Sequence, residues 1–376
     1  MSAASIRALT DGQGRVDPSR PGASATIDPS WEAFVAATPG GDLVQSGHWA
    51  AAKRAAGFEV AFVARRARER LVGGAHLVMR RFGPLGALGY VSRGPLLAPD
   101  ASPEEADDVL MLVEQAARAH QVRHLVVQPP EAGTQVERVL AARGYAPGAL
   151  EVAPTATLRL DLAASLETIF ARMSASQRSH LRRSQRAGVA TRMAGPDDLG
   201  LFWTLYEATA RRHGFAPLAA SYLRRQWELL YPAGHIQVCF AFVADRVLAA
   251  IWLSAFGDTV TYRLPGWSGG EPRLHPSAAS FWGAIRWAQA SGYRYFDFGG
   301  IDRRHGELLV AGAALPPEFQ QSPDAMKLRF GGRPVLLPCA WQKTLNRAAW
   351  PMVRSVYPLV ARTAWWRKAT HRLRSG

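Results

Sequence analysis

The chain has little cysteine: Cys239 and Cys339 are the two in 376 residues. Two such residues define neither a disulfide framework nor a zinc site, and Cys239 sits in an apolar run as a small core residue. That usage suits a reducing, cytoplasmic setting. Long apolar runs are also missing. No stretch reaches the roughly 18 uninterrupted apolar residues of a spanning helix. Residues 1–28 lack the apolar centre of a signal peptide, and their Gly, Pro, Ser and Asp predict a disordered N-terminal tail. His48, His213, His275 and His305 show no metal-ligand spacing, so no metal is expected. Nor is there a convincing Ser-His-Asp or Cys-His relay. Acid is scarce: 30 Asp and Glu stand against 45 Lys and Arg, a net charge of +15. An anionic partner follows, whether nucleic acid, a phosphate-bearing substrate or an acidic lipid surface.

What is present is ample for packing. The hydrophobic fraction is 48%, with 12 Trp and 15 Phe, and the length suits two domains of about 150 residues. After the tail, Pro29 to Ala37 and Gln45 to Ala56 read as short helices. Phe58 to Ala64 and Leu71 to Val78 read as a hairpin, Pro103 to His120 as a helix with Ser102 as its N-cap, and His124 to Gln128 as a buried strand. The same order recurs later. Val238 to Ala244 and Val247 to Ala255 form a hairpin, Ser277 to Gln289 a helix, and Tyr293 to Phe298 a strand. The recurrence predicts a duplicated α/β (α+β) lobe with mixed β-sheets. The boundaries expected are a first lobe at 29–160, a second at 161–338 and a C-terminal segment at 339–376.

Chemistry concentrates between His275 and Gly332. Asp297 is followed at once by Gly299 and Gly300, which places a carboxylate at a strand end beside backbone open to a ligand. That carboxylate either orients and deprotonates a substrate or caps the turn through the backbone of Gly299 or Gly300. Lys327 lies between apolar neighbours before the Phe330-Gly331-Gly332 turn and reads as a lysine on a strand. Tyr262, before a Pro265-Gly266 turn, is a core tyrosine or a substrate contact.

Two regions are basic without acid. From Arg172 to Arg192 there are six arginines, of which Arg178, Arg182 and Arg186 recur every fourth position and line one helical face. With Arg183 they make either a phosphate-binding face or a solvated one. Past Ala325 there is no acid at all, and lysines and arginines interleave with Trp341, Trp350, Tyr357, Trp365 and Trp366. A basic amphipathic tail of this kind suits the inner face of the plasma membrane, which we favour over RNA.

The helix, the run G-Y-R-Y-F-D-F-G-G from Gly292 to Gly300 and M-K-L-R-F-G-G from Met326 to Gly332 resemble the C-terminal lobe of the FemABX family of peptidoglycan aminoacyltransferases. Gln45 to Gly57, the basic helix ending Q-R-A-G-V and W-T-L-Y-E-A-T-A-R-R-H-G-F agree, so the likeness runs from about Asp42 to Gly332. It implies two tandem acetyltransferase-like (GNAT) lobes. It also implies transfer of an aminoacyl group from aminoacyl-tRNA, a co-substrate with no further cofactor, to an amine of lipid II or UDP-MurNAc-pentapeptide. By resemblance, Lys327 steadies the oxyanion, while Lys53, in W-x-x-x-K spacing from Trp49, grips the precursor's diphosphate. Arg212 is a second phosphate candidate, and a monomer is expected. Phe215 to His235 leaves no room for the long helical arm of some members. The sequence departs at Ala216-Pro217-Leu218, where some members carry a basic residue, and at Met326, where an aromatic usually stands. Two other classes compete: an acyl-CoA-dependent N-acyltransferase and a non-catalytic basic adaptor on membrane or RNA. The acyl-CoA phosphate pattern occurs at Arg70-Gly73-Ala75 and Gln185-Gly188-Ala190, inside a hairpin and at a helix end, both the wrong context.

Overall fold

The computed structural model describes residues 27–81, 86–148 and 150–346. They form two compact units, one running to Ala153 and resuming at Pro338, the other Pro154–Leu337. Each is a mixed sheet with helices.

In the first unit the strands lie in the order Glu59–Ala67, Arg70–Arg81, Ala87–Ser92, Val122–Gln128, Trp341–Thr344 and Ala146–Pro147. Every neighbouring pair is antiparallel except Ala87–Ser92 with Val122–Gln128. A parallel pair needs a crossover, and helix Pro103–Ala119 supplies it. That helix starts where a capping box holds it: Ser102 accepts from Glu105 N–H, and the Glu105 carboxylate accepts from Ser102 N–H. Its apolar face, including Leu110, Val113 and Ala117, is fully buried with Leu77, Leu125 and Val127 of the sheet.

The second unit repeats the scheme. Its order is Arg333–Leu336, Ala156–Asp161, Tyr295–Gly300, Thr259–Trp267, Arg246–Phe256, Ile236–Val243 and Ala190–Met193. The single parallel pair, Thr259–Trp267 with Tyr295–Gly300, is joined through helix Pro276–Ala290. Its core stacks Phe281, Phe296, Phe298 and Phe330, with Phe298 and Phe330 centroids 5.4 Å apart and Phe281 and Phe330 5.3 Å apart. Each buried phenylalanine is worth about 1.5–3 kcal/mol. The turn at Phe330 is therefore anchored to the strand carrying Asp297.

Several expectations change. The division falls at 153/154, not 160/161, because Ala156–Asp161 is paired on both sides within the second sheet. The segment expected to begin a basic tail instead contributes strand Trp341–Thr344 to the first sheet, pairing with His124 to Val127. Residues 347–376 of that segment, and nearly all of the expected N-terminal tail, lie outside the described residues. The strand Ala87–Ser92 was not anticipated. Pro265 and Gly266 are not a turn: they lie inside a strand, opposite Ile251 and Ala250. Proline is tolerated there because the parallel ladder on its other side covers only Thr259 to Thr261. Finally, Lys327 is on a helix, Pro323–Leu328.

Candidate active site

The parallel ladder in the second unit stops early, and the site lies where it stops. Thr259, Val260 and Thr261 pair with Tyr295, Phe296 and Asp297; Tyr262 and Phe298 onward do not. Past that point the backbone polar groups facing the gap have no ladder partner, and Lys327 reaches one of them. Its Nζ donates to the Gly300 carbonyl at 2.5 Å. The ammonium also lies 5.9 Å from the centroid of the Tyr262 ring.

Lys327 is 8% exposed. Burial lowers its pKa, and the nearby carboxylates of Asp324 and Asp297 oppose that shift without cancelling it. The helix that carries it is short and sharply started. Ser322 accepts from Ala325 N–H, Pro323 opens the first turn, and Asp324 lies in that turn. Asp324 is buried too. One oxygen accepts from Asp302 N–H at 3.0 Å and lies 2.8 Å from His305 Nδ1. The chain from His305 through Asp324 to Lys327 thus fixes a counter-charge beside the amine.

Asp297, 6% exposed, is engaged on both oxygens. Oδ1 accepts from the Thr157 hydroxyl and, at 2.8 Å, from Gly299 N–H; Oδ2 lies 3.5 Å from Arg159 Nε. The turn-capping arrangement is the one present. Gly299 has φ +73°, and a Cβ there would meet the Tyr262 carbonyl at 2.6 Å. Both the left-handed backbone and the close approach require glycine. Lys327, Asp297, Gly299, Gly300 and Tyr262 are therefore brought together, with Thr157, Arg159, Asp324 and His305 as unanticipated members. Tyr262 packs edge-on to Phe281 at 4.8 Å, and burial pushes its hydroxyl pKa up. A signal for two of these existed. Thr155, Thr157, Arg159 and Asp161 alternate with Ala156, Leu158, Leu160 and Leu162 along one strand, which puts Thr157 and Arg159 on one face.

The other candidates have contacts of their own. Arg212 lies over the Trp267 ring at 4.3 Å and donates to the carbonyls of Trp267 and Ser268 at 3.4 and 3.1 Å. The basic helix is Ala175–Arg186, but its every-fourth-residue row is not uniformly free. Arg178 folds back on the carbonyls of Ala171 and Met173, Arg182 covers Phe170 at 5.4 Å, and Arg186 bonds the Arg182 carbonyl at 3.4 Å. In the first unit Lys53 is not an exposed helix lysine. It is 2% exposed, with Nζ 5.2 and 5.1 Å from the ring centroids of Trp49 and Phe58.

Known proteins share this architecture. The acetyltransferase (GNAT) domain family matches residues 171–306. The lipid II:glycine glycyltransferase of Staphylococcus haemolyticus is 26% identical over 219 residues, 55% of this chain and 52% of that protein. That of Staphylococcus aureus strain MRSA252 is 24% identical over the same share. The chain spans about half the length of these curated relatives. Among solved structures, FemX superposes with a TM-score of 0.75 at 16% identity, covering 89% of this chain and 99% of the other. L-PGS from Bacillus licheniformis gives 0.52 at 14%, covering 91% and 100%. The chain is similar in sequence to these lipid II:glycine glycyltransferases and in fold to FemX. Its two units are tandem GNAT-like lobes. In this chain the GNAT match takes in Asp297, Gly299, Gly300 and His305 but ends before Asp324 and Lys327. The amine at the site is thus contributed from outside the matched segment.

Proposed function

We propose that the protein transfers an aminoacyl group from aminoacyl-tRNA to an amine of a peptidoglycan precursor, forming a peptide bond. The observation that carries the reading is the buried Lys327 amine at the open end of the sheet, in a chain similar to proteins named lipid II:glycine glycyltransferases. An ester on RNA is already activated, so the residues need only align an amine, stabilise the oxyanion and route one proton. The acceptor nitrogen attacks the ester carbonyl and a C–N bond forms. The Lys327 ammonium, one N–H held by Gly300, directs another at the developing oxyanion. The tetrahedral intermediate then collapses, the C–O bond to the ribose breaks, and the proton lost by the nitrogen ends on the leaving hydroxyl. Asp297, with both oxygens engaged, acts as a positioning residue for the Gly299–Gly300 backbone.

Lys53 and Arg212 are proposed for the precursor's phosphates, and the acceptor is proposed as lipid-linked, met at the membrane's inner face through the basic C-terminal segment. Among the described residues no helix is long and apolar enough to cross a membrane. The acyl-CoA alternative finds less support. Gly73 lies within a strand, where a Cβ would meet the Leu96 carbonyl at 2.5 Å, so it serves strand packing. The crossover helix of the first lobe has its N-terminus occupied by Ser102 and Glu105.

The test mixes charged tRNAs and acyl-CoAs with lipid II and weighs the products. Addition of an aminoacyl mass only with charged tRNA is expected. Acylation from a thioester in tRNA-free buffer, or full-speed turnover by Lys327→Met, overturns the reading.

A further inference from the structure

His180, on helix Ala175–Arg186, stacks on His275, which precedes helix Pro276–Ala290. Their ring centroids are 3.8 Å apart and their planes 16° from parallel. The Ser184 hydroxyl, one turn on, donates to the Leu274 carbonyl and fixes the two segments against each other. Arg183 acts electrostatically on both rings and Arg329 on His180. Arg329 is held near by its own carbonyl, which accepts from Ser174 N–H at the helix start, 2.9 Å. Among the described residues neither the Arg183 nor the Arg329 guanidinium has a carboxylate partner. On the connection before His275, Glu271 is paired with Arg246 at 3.2 Å and Arg273 adds a further positive charge.

Burial and these cations hold both imidazoles below their ordinary pKa. Two stacked rings flanked by guanidinium groups are stable when neutral, and they take up a proton when an anion supplies the missing negative charge. The patch also adjoins the reaction centre in sequence: Arg329 follows Lys327 by two residues. In an RNA-borne ester the nearest phosphate belongs to the same terminal nucleotide as the ester. In a lipid-linked precursor the diphosphate is separated from the accepting amine by a sugar and a peptide.

We propose that His180, His275, Arg183 and Arg329 form a phosphodiester site for the 3′-terminal strand of the RNA donor, closed by proton uptake on the histidine pair. The proposal rests on the aminoacyl-tRNA reading above. It moves the contact from the arginine row to one face of that helix plus two loops.

The probe is an uncharged acceptor-stem RNA hairpin ending in CCA, labelled at its 5′ end and followed by fluorescence anisotropy. Binding is expected to tighten about tenfold from about pH 8 to about pH 6. His180→Gln with His275→Gln is expected to abolish that dependence while binding at the higher pH stays measurable. The same pH dependence in the variant overturns the site. If the variant melts early, calorimetry on the unaltered protein decides. Binding heats in two buffers of different ionisation enthalpy should report uptake of about one proton, and none overturns the proposal. Aminoacyl transfer with no proton uptake sinks this inference alone. Proton-linked RNA binding with no transfer from any charged tRNA sinks the catalytic reading and leaves the site.

Discussion

Lys343 Nζ lies 2.9 Å from Glu114 Oε1, across 229 positions of sequence, and this contact ties the returning C-terminal strand to the first lobe. Glu114 is 2% exposed and also faces Arg118 at 3.2 Å and Arg143 at 3.3 Å. Burial alone would raise its pKa, but the bonds from Arg143 and Lys343 outweigh that and lower it. Glu114→Gln leaves three cations without their shared anion, and a loss of about 3–5 kcal/mol is expected in denaturant titrations. A carboxyl whose folded pKa is depressed contributes fully above its unfolded value of about 4.3 and loses that contribution as pH falls through the folded value. Melting temperatures of the two proteins should therefore converge on acidification from about pH 6 to about pH 3. A constant gap across that range would contradict the assignment.

The doubled order of hairpin, helix and strand was readable because each element carries its own periodicity and caps. Ser102 before Pro103 is one such signal, Gly292 after the helix Pro276–Ala290 another. Pairing between distant segments was not readable. Trp341–Thr344 looks basic and aromatic in isolation, and only its long-range partners, Glu114 and the Arg143 carbonyl, show Lys343 to be a half-buried sheet residue. The apolar neighbours of Lys327 read as a strand, whereas the cap formed by Ser322, Pro323 and Asp324, also displayed in the sequence, marks the helix that forms. At the site, Lys327 and Asp297 were named from sequence, whereas His305 and Asp324 depend on tertiary approach and have no local pattern.

Lys327 sets a pH limb. Burial lowers its pKa, so if the ammonium is the working form, transfer activity should fall as pH rises through a value below the ordinary 10.4 or so of lysine. Asp324 is the first of the carboxylates that hold the ammonium charged. Asp324→Asn is expected to move the high-pH limb of kcat/KM to lower pH, and Lys327→Met to remove the limb along with most of the rate, about a hundredfold or more. A limb that stays put in Asp324→Asn argues against that coupling.

The Asp297 turn makes a separate claim about position. The Thr157 hydroxyl donates to Asp297 Oδ1 and lies 2.9 Å from the Gly299 carbonyl oxygen. Thr157→Val keeps the branched shape and removes the donor, at an expected cost of about 1–3 kcal/mol. Gly299→Ala should cost more activity than stability, since strain at φ +73° against the Tyr262 carbonyl shifts the backbone that holds Lys327. Paired measurements of melting temperature and single-turnover rate separate the two effects. Equal, proportionate losses in both variants would deny the turn a positioning role.

Lys53 tests substrate binding in the first lobe. Its Nζ lies over the rings of Trp49 and Phe58, so an apolar replacement of similar length keeps a group against both rings while removing charge. Lys53→Met is expected to change stability by less than about 1.5 kcal/mol. A lost phosphate contact made equally in ground and transition states raises KM and leaves kcat alone. The expected result is therefore an approximately tenfold rise in KM for the precursor, with KM for charged tRNA unaltered. Lys53→Arg keeps the charge but cannot fold its wider fork between the same two rings, so it should destabilise more than methionine does. If methionine leaves both KM values untouched, the phosphate contact must be sought at Arg212.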